Sequence, residues 1–181
     1  MEALINGILD YSKVAKKNNQ FELFNTNQLV QETIELLGHN KNSHFNIVNE
    51  LPKMIADKIK VQQVFMNLIS NAIKFNDKNH KDVTIASTCH SGHYQFSITD
   101  NGPGIDPRFH DKIFIIFQTV NTRDEFESTG VGLAIVKKII EEHEGKIWVE
   151  SNRGQGATFH FTWPKHKEAV ERIRENELNK A

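Results

Sequence analysis

One cysteine, Cys89, stands in 181 residues, so no disulfide can form within the chain. That poverty fits a reducing, cytoplasmic setting. No charge sign predominates: the formal net charge is -1, with 25% charged residues. Without a basic excess, nucleic-acid binding has no electrostatic support. No apolar run reaches the roughly 20 residues that span a bilayer, and no signal-peptide pattern opens the chain. No membrane contact is therefore expected of these residues, although a longer parent protein could carry an anchor elsewhere. Internal repeats and low-complexity tracts are absent too.

What is present is a greasy stretch broken by two amides. Seven of the ten residues from Val64 to Ile73 are apolar, which predicts a helix buried on most sides. Asn67, Asn71 and Lys74 interrupt it at i, i+4 and i+7 and so line one face. A buried amide left without a partner costs roughly 1–3 kcal/mol, so these asparagines need an explanation. Two carbonyl-oxygen donors and an ammonium on one face suit a metal–phosphate pair.

Around that helix the chain reads as alternating helices and hairpins. Met1 to about Lys17 has helical spacing at Leu4, Ile5, Ile8, Leu9 and Val14. Lys16 to Gln20 reads as a polar linker. Asn25 or Thr26 can cap a helix that Gly38 closes, and Asp57 can cap the long helix ending near Phe75. His44 to Asn49 alternates like a strand. Asp82–His90 and Tyr94–Asp100 form a hairpin about Ser91-Gly92. A long loop, Asn101 to Thr129, leads into a helix from about Gly130 that stops at Gly145. Lys146–Ser151 and Ala157–Trp163 complete the strands, and a charged tail follows Pro164. The expected fold is a two-layer α/β sandwich with a mixed, mostly antiparallel sheet covered on one face by helices. The expected divisions are 1–17, 18–165 and 166–181.

Two glycine-rich turns flank the long loop. Asp100-Asn101-Gly102-Pro103-Gly104-Ile105 follows a strand, where an aspartate can accept from an exocyclic amine and glycines admit a flat ring. An ordinary Pro-Gly turn is the alternative. Thr129-Gly130-Val131-Gly132-Leu133 opens a helix whose first N–H groups make an anion site. No Lys-Ser or Lys-Thr pair follows, so it is not a Walker phosphate loop. A dinucleotide fingerprint also fails.

Taken in order, Asn-x-x-x-Asn-x-x-Lys, Asp-x-Gly-x-Gly, the Phe114/Phe117 pair and Gly-x-Gly at a helix start resemble the ATP-binding catalytic domain of sensor histidine kinases. The resemblance extends to the wider superfamily of type II topoisomerases, mismatch-repair ATPases and a chaperone ATPase, whose shared architecture is the Bergerat fold. It covers about Phe21 to Pro164 and includes Val136-Lys137-Lys138-Ile139 and Gly154-x-Gly156-x-Thr158-Phe159. By that resemblance Asn71 would hold Mg²⁺, Asn67 would lie beside the triphosphate of ATP, and Lys74 would contact phosphate oxygens. Asp100 would bond the adenine amine, with Gly102, Gly104 and Ile105 shaping the pocket and Thr158 supporting it. Phe117, Thr129, Gly130, Val131, Gly132 and Leu133 would belong to the lid over the phosphates. Arg123 would be the lid cation reaching the γ-phosphate, a solvated loop arginine being the alternative.

Hydrolysing members of the superfamily carry glutamate where this chain has Asn67, which cannot act as a general base. Transfer to another nucleophile therefore fits better than hydrolysis. In the kinases that nucleophile is a histidine on a separate dimerization domain of a homodimer, and a response regulator acts downstream. No histidine here has the phosphoacceptor context. Met1–Ser12 resembles the end of the second dimerization helix. Where the family has the first glycine of its final triplet this chain has Ser128, which is expected to cost a little lid freedom, a hydroxyl that bonds a phosphate being the alternative. A nucleotide-sensing module without catalysis and an anti-sigma-type serine kinase are the competing functions. Cys89, His90 and His93 straddle a turn without a fourth ligand, which argues against zinc.

Overall fold

The computed structural model describes residues 21–38, 42–116 and 130–165. The expected helix remnant at 1–17 and the tail at 166–181 lie outside the described residues. Among the described residues seven strands and three α-helices follow one another: β1 (Phe21–Asn25), α1 (Thr26–Leu37), β2 (Ser43–Ile47), β3 (Lys53–Asp57), α2 (Lys58–Lys74), β4 (Lys81–Cys89), β5 (His93–Asp100), α3 (Gly132–Glu142), β6 (Ile147–Ser151) and β7 (Ala157–Pro164).

The helix ends follow from capping chemistry. Asn25 accepts from the Asn27 N–H at 2.9 Å to start α1, and Gly38 at φ +82° ends it. Asp57 accepts from the Lys60 N–H at 3.1 Å to start α2, and Lys74 in the last turn complements the helix dipole. The third helix differs from expectation at both ends. It begins at Gly132 rather than Gly130, and the left-handed residue at its close is Glu144, φ +60°. Gly145 is needed for another reason: a side chain there would collide with the Thr162 carbonyl and Ile140.

The main sheet has the order β2-β4-β5-β7-β6, with β2 parallel to β4 and every other pair antiparallel. Val83, Ile85, Phe96, Ile98, Phe159, Phe161 and Trp163 point to one buried face, and the residues between them point to the other. All three helices lie over the buried face, α2 in the middle between α1 and α3. The predicted two-layer sandwich is what the chain forms.

Two strands were not legible beforehand. β1 and β3 pair antiparallel as a separate two-stranded sheet, Leu23 opposite Ile55, and bury Phe24, Met54 and Ala56 beneath the helices. The long loop carries two short 3₁₀ turns, Pro107–Phe109 and Lys112–Phe114. Phe114 is core, edge-on to Phe159 at 6.4 Å. Phe117 lies outside the described residues. Among the described residues no helix is long and apolar enough to cross a membrane.

Phe65 of α2 is fully buried, edge-on to Phe96 of β5 and Phe161 of β7 at 5.4 Å each. Phe65→Ala should cost about 3–5 kcal/mol, read from the urea midpoint. A loss under about 1 kcal/mol would show that these rings do not hold the helix to the sheet.

Candidate functional site

Asn67, Asn71 and Lys74 are all half-buried and sit among the fully or nearly fully buried Leu68, Ile69 and Ala72. Helical geometry puts the three polar groups on one face, as expected. The Asn67 Nδ2 donates to the Gln63 carbonyl at 2.8 Å, which fixes the amide. Its Oδ1 is then turned to the start of α3: a side-chain carbon built on Gly132 would lie 2.9 Å from it. Gly132 thus permits a close approach, and the first turn of α3 rests on Asn67. Val131, the residue before that turn, offers no side-chain cap and is itself buried. The leading N–H groups of α3 are accordingly disposed to meet an anion. Gly130 takes φ +63° and Leu133 is half-buried against the core.

Asp100 ends β5 beside the same layer. Its carboxylate accepts from the Gly102 N–H at 2.8 Å, and a side chain on Gly102 would press on that oxygen and on Asn76. Burial pushes the Asp100 carboxyl above its ordinary value of 3.8, while backbone N–H bonds from Gly102 and Ala157 and the nearby Lys78 pull the other way. Gly104, at φ +70°, and Gly156, at φ +76°, let two loops touch: side chains there would strike the Asn152 and Asp100 carbonyls. The contact is stitched by Gly154 N–H to the Pro103 carbonyl at 2.6 Å. It is completed by Ser151, which accepts from the Ile105 N–H at 2.8 Å and donates to the Gly156 carbonyl at 2.6 Å. Asp106 caps the next turn, and the Arg108 guanidinium holds its carboxyl well below the usual range.

One expected residue is not brought to the others. Thr158 pairs with Thr99 across β7 and β5, hydroxyl to hydroxyl at 3.0 Å, whereas Ala157 stands opposite Asp100. Strand alternation puts Thr158 on the far face of the sheet from Asp100. Phe117, Arg123 and Thr129 lie outside the described residues. Cys89, His90 and His93 do not converge: the histidine rings stack on each other at 4.6 Å, and the Lys165 ammonium lies 3.0 Å from the Cys89 sulfur.

Residues 56–167 match the profile of the histidine kinase-, DNA gyrase B- and HSP90-like ATPases. The chain belongs to that family. Among relatives of this ATPase domain, cyanobacterial phytochrome A of Nostoc sp. is 44% identical over 166 residues, which is 91% of this chain and 22% of the phytochrome. The chain therefore spans about a fifth of that relative's length. The catalytic domain of the histidine kinase ThkA superposes with a TM-score of 0.70 at 35% identity, over 83% of this chain and 99% of that domain. ThkA in complex with the response regulator TrrA gives 0.73 at 33% identity, over 92% and 48%. Full-length ShkA in complex with AMPPNP gives 0.76 at 28% identity, over 90% and 35%.

Site residues missed from sequence are Asn76, Asn101 and Ser151. Each acts through a partner at least 25 residues away, a pairing that no local pattern announces.

Because burial raises the Asp100 carboxyl, its folded state binds the proton more tightly than the unfolded chain. Its contribution is favourable below about 3.8 and is lost as pH rises through the raised value. Asp100→Asn should therefore be more stable than the parent near neutral pH, the advantage vanishing toward acid. Urea denaturation across a pH series reads this; a variant less stable at every pH would refute a strained carboxylate.

Proposed function

We propose that this chain is the catalytic, ATP-binding domain of a two-component sensor histidine kinase. It would transfer the γ-phosphoryl group of ATP to a histidine on a dimerization domain. The observation that carries the reading is the seating of Gly132 on Asn67. That contact sets the amide face of α2 against the N-terminus of α3, so metal-side and phosphate-side groups meet. The AMPPNP bound by ShkA supports a nucleoside triphosphate as ligand.

The donor set fits Mg²⁺. Asn71 offers a hard carbonyl oxygen on a half-buried face, and Mg²⁺ keeps several waters and needs few protein ligands. When bound, the ion would neutralise charge on the triphosphate. Asn71 would hold it, Asn67 would flank the phosphates, and the Lys74 ammonium would meet their oxygens. Asp100 would accept from the adenine amine, with Gly102, Gly104 and Ile105 forming the wall. The Gly130–Leu133 turn would close on the phosphates through its N–H groups. Phosphoryl transfer is mostly positioning and charge neutralisation, which these groups supply. Asn67 offers no base to activate water, so the phosphate would pass to the imidazole nitrogen.

The acceptor would be the chain's own or a partner's dimerization domain in a homodimeric, cytoplasmic or membrane-anchored parent. A response regulator would follow, as the ThkA–TrrA complex suggests for its own pair.

The decisive experiment offers the chain an intact histidine-bearing dimerization domain with γ-labelled ATP. Acid-labile, base-stable label on the acceptor is expected; tight ATP binding without transfer would favour a nucleotide-sensing module. Asn71→Asp should weaken Mg-ATP use far more than adenine binding, and Asp100→Ala should abolish both. Parental ATP binding by both variants, measured by calorimetry, would show the site to be elsewhere.

A further inference from the structure

Just past the end of α2, Asn76 is 3% exposed, and no step of the proposed transfer uses it. Its Nδ2 donates to the Asn101 Oδ1 at 2.7 Å, and its own Oδ1 accepts from the Lys78 N–H at 3.1 Å. Asn101, next to Asp100, also accepts from the Asp82 N–H at 3.0 Å. It donates to the His80 carbonyl and to the Asp82 carboxylate, each at 3.0 Å. Its side chain thus fills both donor and both acceptor positions of an amide. The ammonium of Lys81 adds a bond to the Ile73 carbonyl at 2.9 Å, closing the last turn of α2 onto β4.

The consequence is a short mechanical path. Asn71 and Lys74 stand on the last turns of α2; Asn76 follows directly; Asn101 ties it to β4 and adjoins Asp100. Gly102 packs against the Asn76 backbone, where a side chain would lie 3.4 Å from Asn76 Cα. Asn76 is buried and Asn101 half-buried, so breaking the bond between them would strand the Asn76 amide away from water.

We infer that Asn76 is a positioning residue. Its side-chain hydrogen bond to Asn101 sets the separation between the base-recognising Asp100 and the metal- and phosphate-facing end of α2. Recognition of adenine and of Mg-phosphate is thereby coupled through this clamp. The inference rests on the nucleotide site proposed above and deepens it.

The test compares adenosine, ADP without Mg²⁺ and ADP with Mg²⁺ by calorimetry for the parent and Asn76→Ala. Asp100→Ala serves as a control. The variant should bind adenosine within about twofold of the parent. Its gain in ADP affinity on adding Mg²⁺ should fall by at least about fivefold, the low end of couplings between sites. A merely structural role would weaken all three ligands alike and leave the Mg²⁺ gain unchanged; that result overturns the clamp. If Asn76→Ala folds poorly, Asn76→Leu retains the volume, removes the amide without adding charge, and the same ratio is read. A parent that binds none of the ligands, or an Asp100→Ala control that binds like the parent, overturns the nucleotide site itself and the clamp with it.

Discussion

Phe65 meets Phe96 and Phe161 edge-on, and those two rings stack on each other at 5.0 Å, so one helix and two strands share a single aromatic contact. Aromatic pairs contribute about 0.5–1.5 kcal/mol beyond their buried area, and they do so only at defined angles. The angle matters more here than the energy. Asn67 and Asn71 follow Phe65 by two and six residues on α2, while Asp100 follows Phe96 by four on β5. A tilt of α2 on the sheet would move the amide face relative to the carboxylate, whatever else stayed in place.

Around that frame the site carries features that stability alone would not favour. Asp100 is a carboxylate pushed into a half-buried place that opposes its charge. Gly104 and Gly156 surrender backbone freedom so that two loops can touch without side chains. The start of α3 lacks a capping side chain, although Ser, Thr, Asn or Asp there is worth about 0.5–2 kcal/mol. Asp100 and the uncapped start of α3 leave polar groups suited to a ligand with a flat base and an anionic tail. A domain selected only to fold would have a cap before Gly132 and an uncharged residue at position 100.

Much of this is legible in the sequence. The caps Asn25 and Asp57 announce themselves because a short polar side chain precedes an apolar period. The amide face of α2 is visible because three polar residues break a greasy run at helical spacing. Asp100 and the glycines are readable because few other residue types fit such turns. What stayed hidden depended on register and on distant partners. Thr158 and Ala157 differ by one position, and only the pairing of β7 with β5 decides which of them faces Asp100. The strands β1 and β3 are too short to show a period, and each exists because the other is there. Asn76 and Asn101 carry no local signal that pairs them, and only the fold brings Nδ2 of one within 2.7 Å of Oδ1 of the other.

The central claim is geometric: the amide face of α2, the Asp100 turn and the first turn of α3 bind one nucleotide between them. A crystal structure of the chain with AMPPNP and Mg²⁺ tests it most directly. The account predicts the adenine amine within hydrogen-bond distance of the Asp100 carboxylate, the Asn71 side-chain oxygen about 2.0–2.1 Å from Mg²⁺, and phosphate oxygens at the Gly130–Leu133 N–H groups. A nucleotide whose base lies away from Asp100, or whose metal has no contact with Asn71, would contradict it.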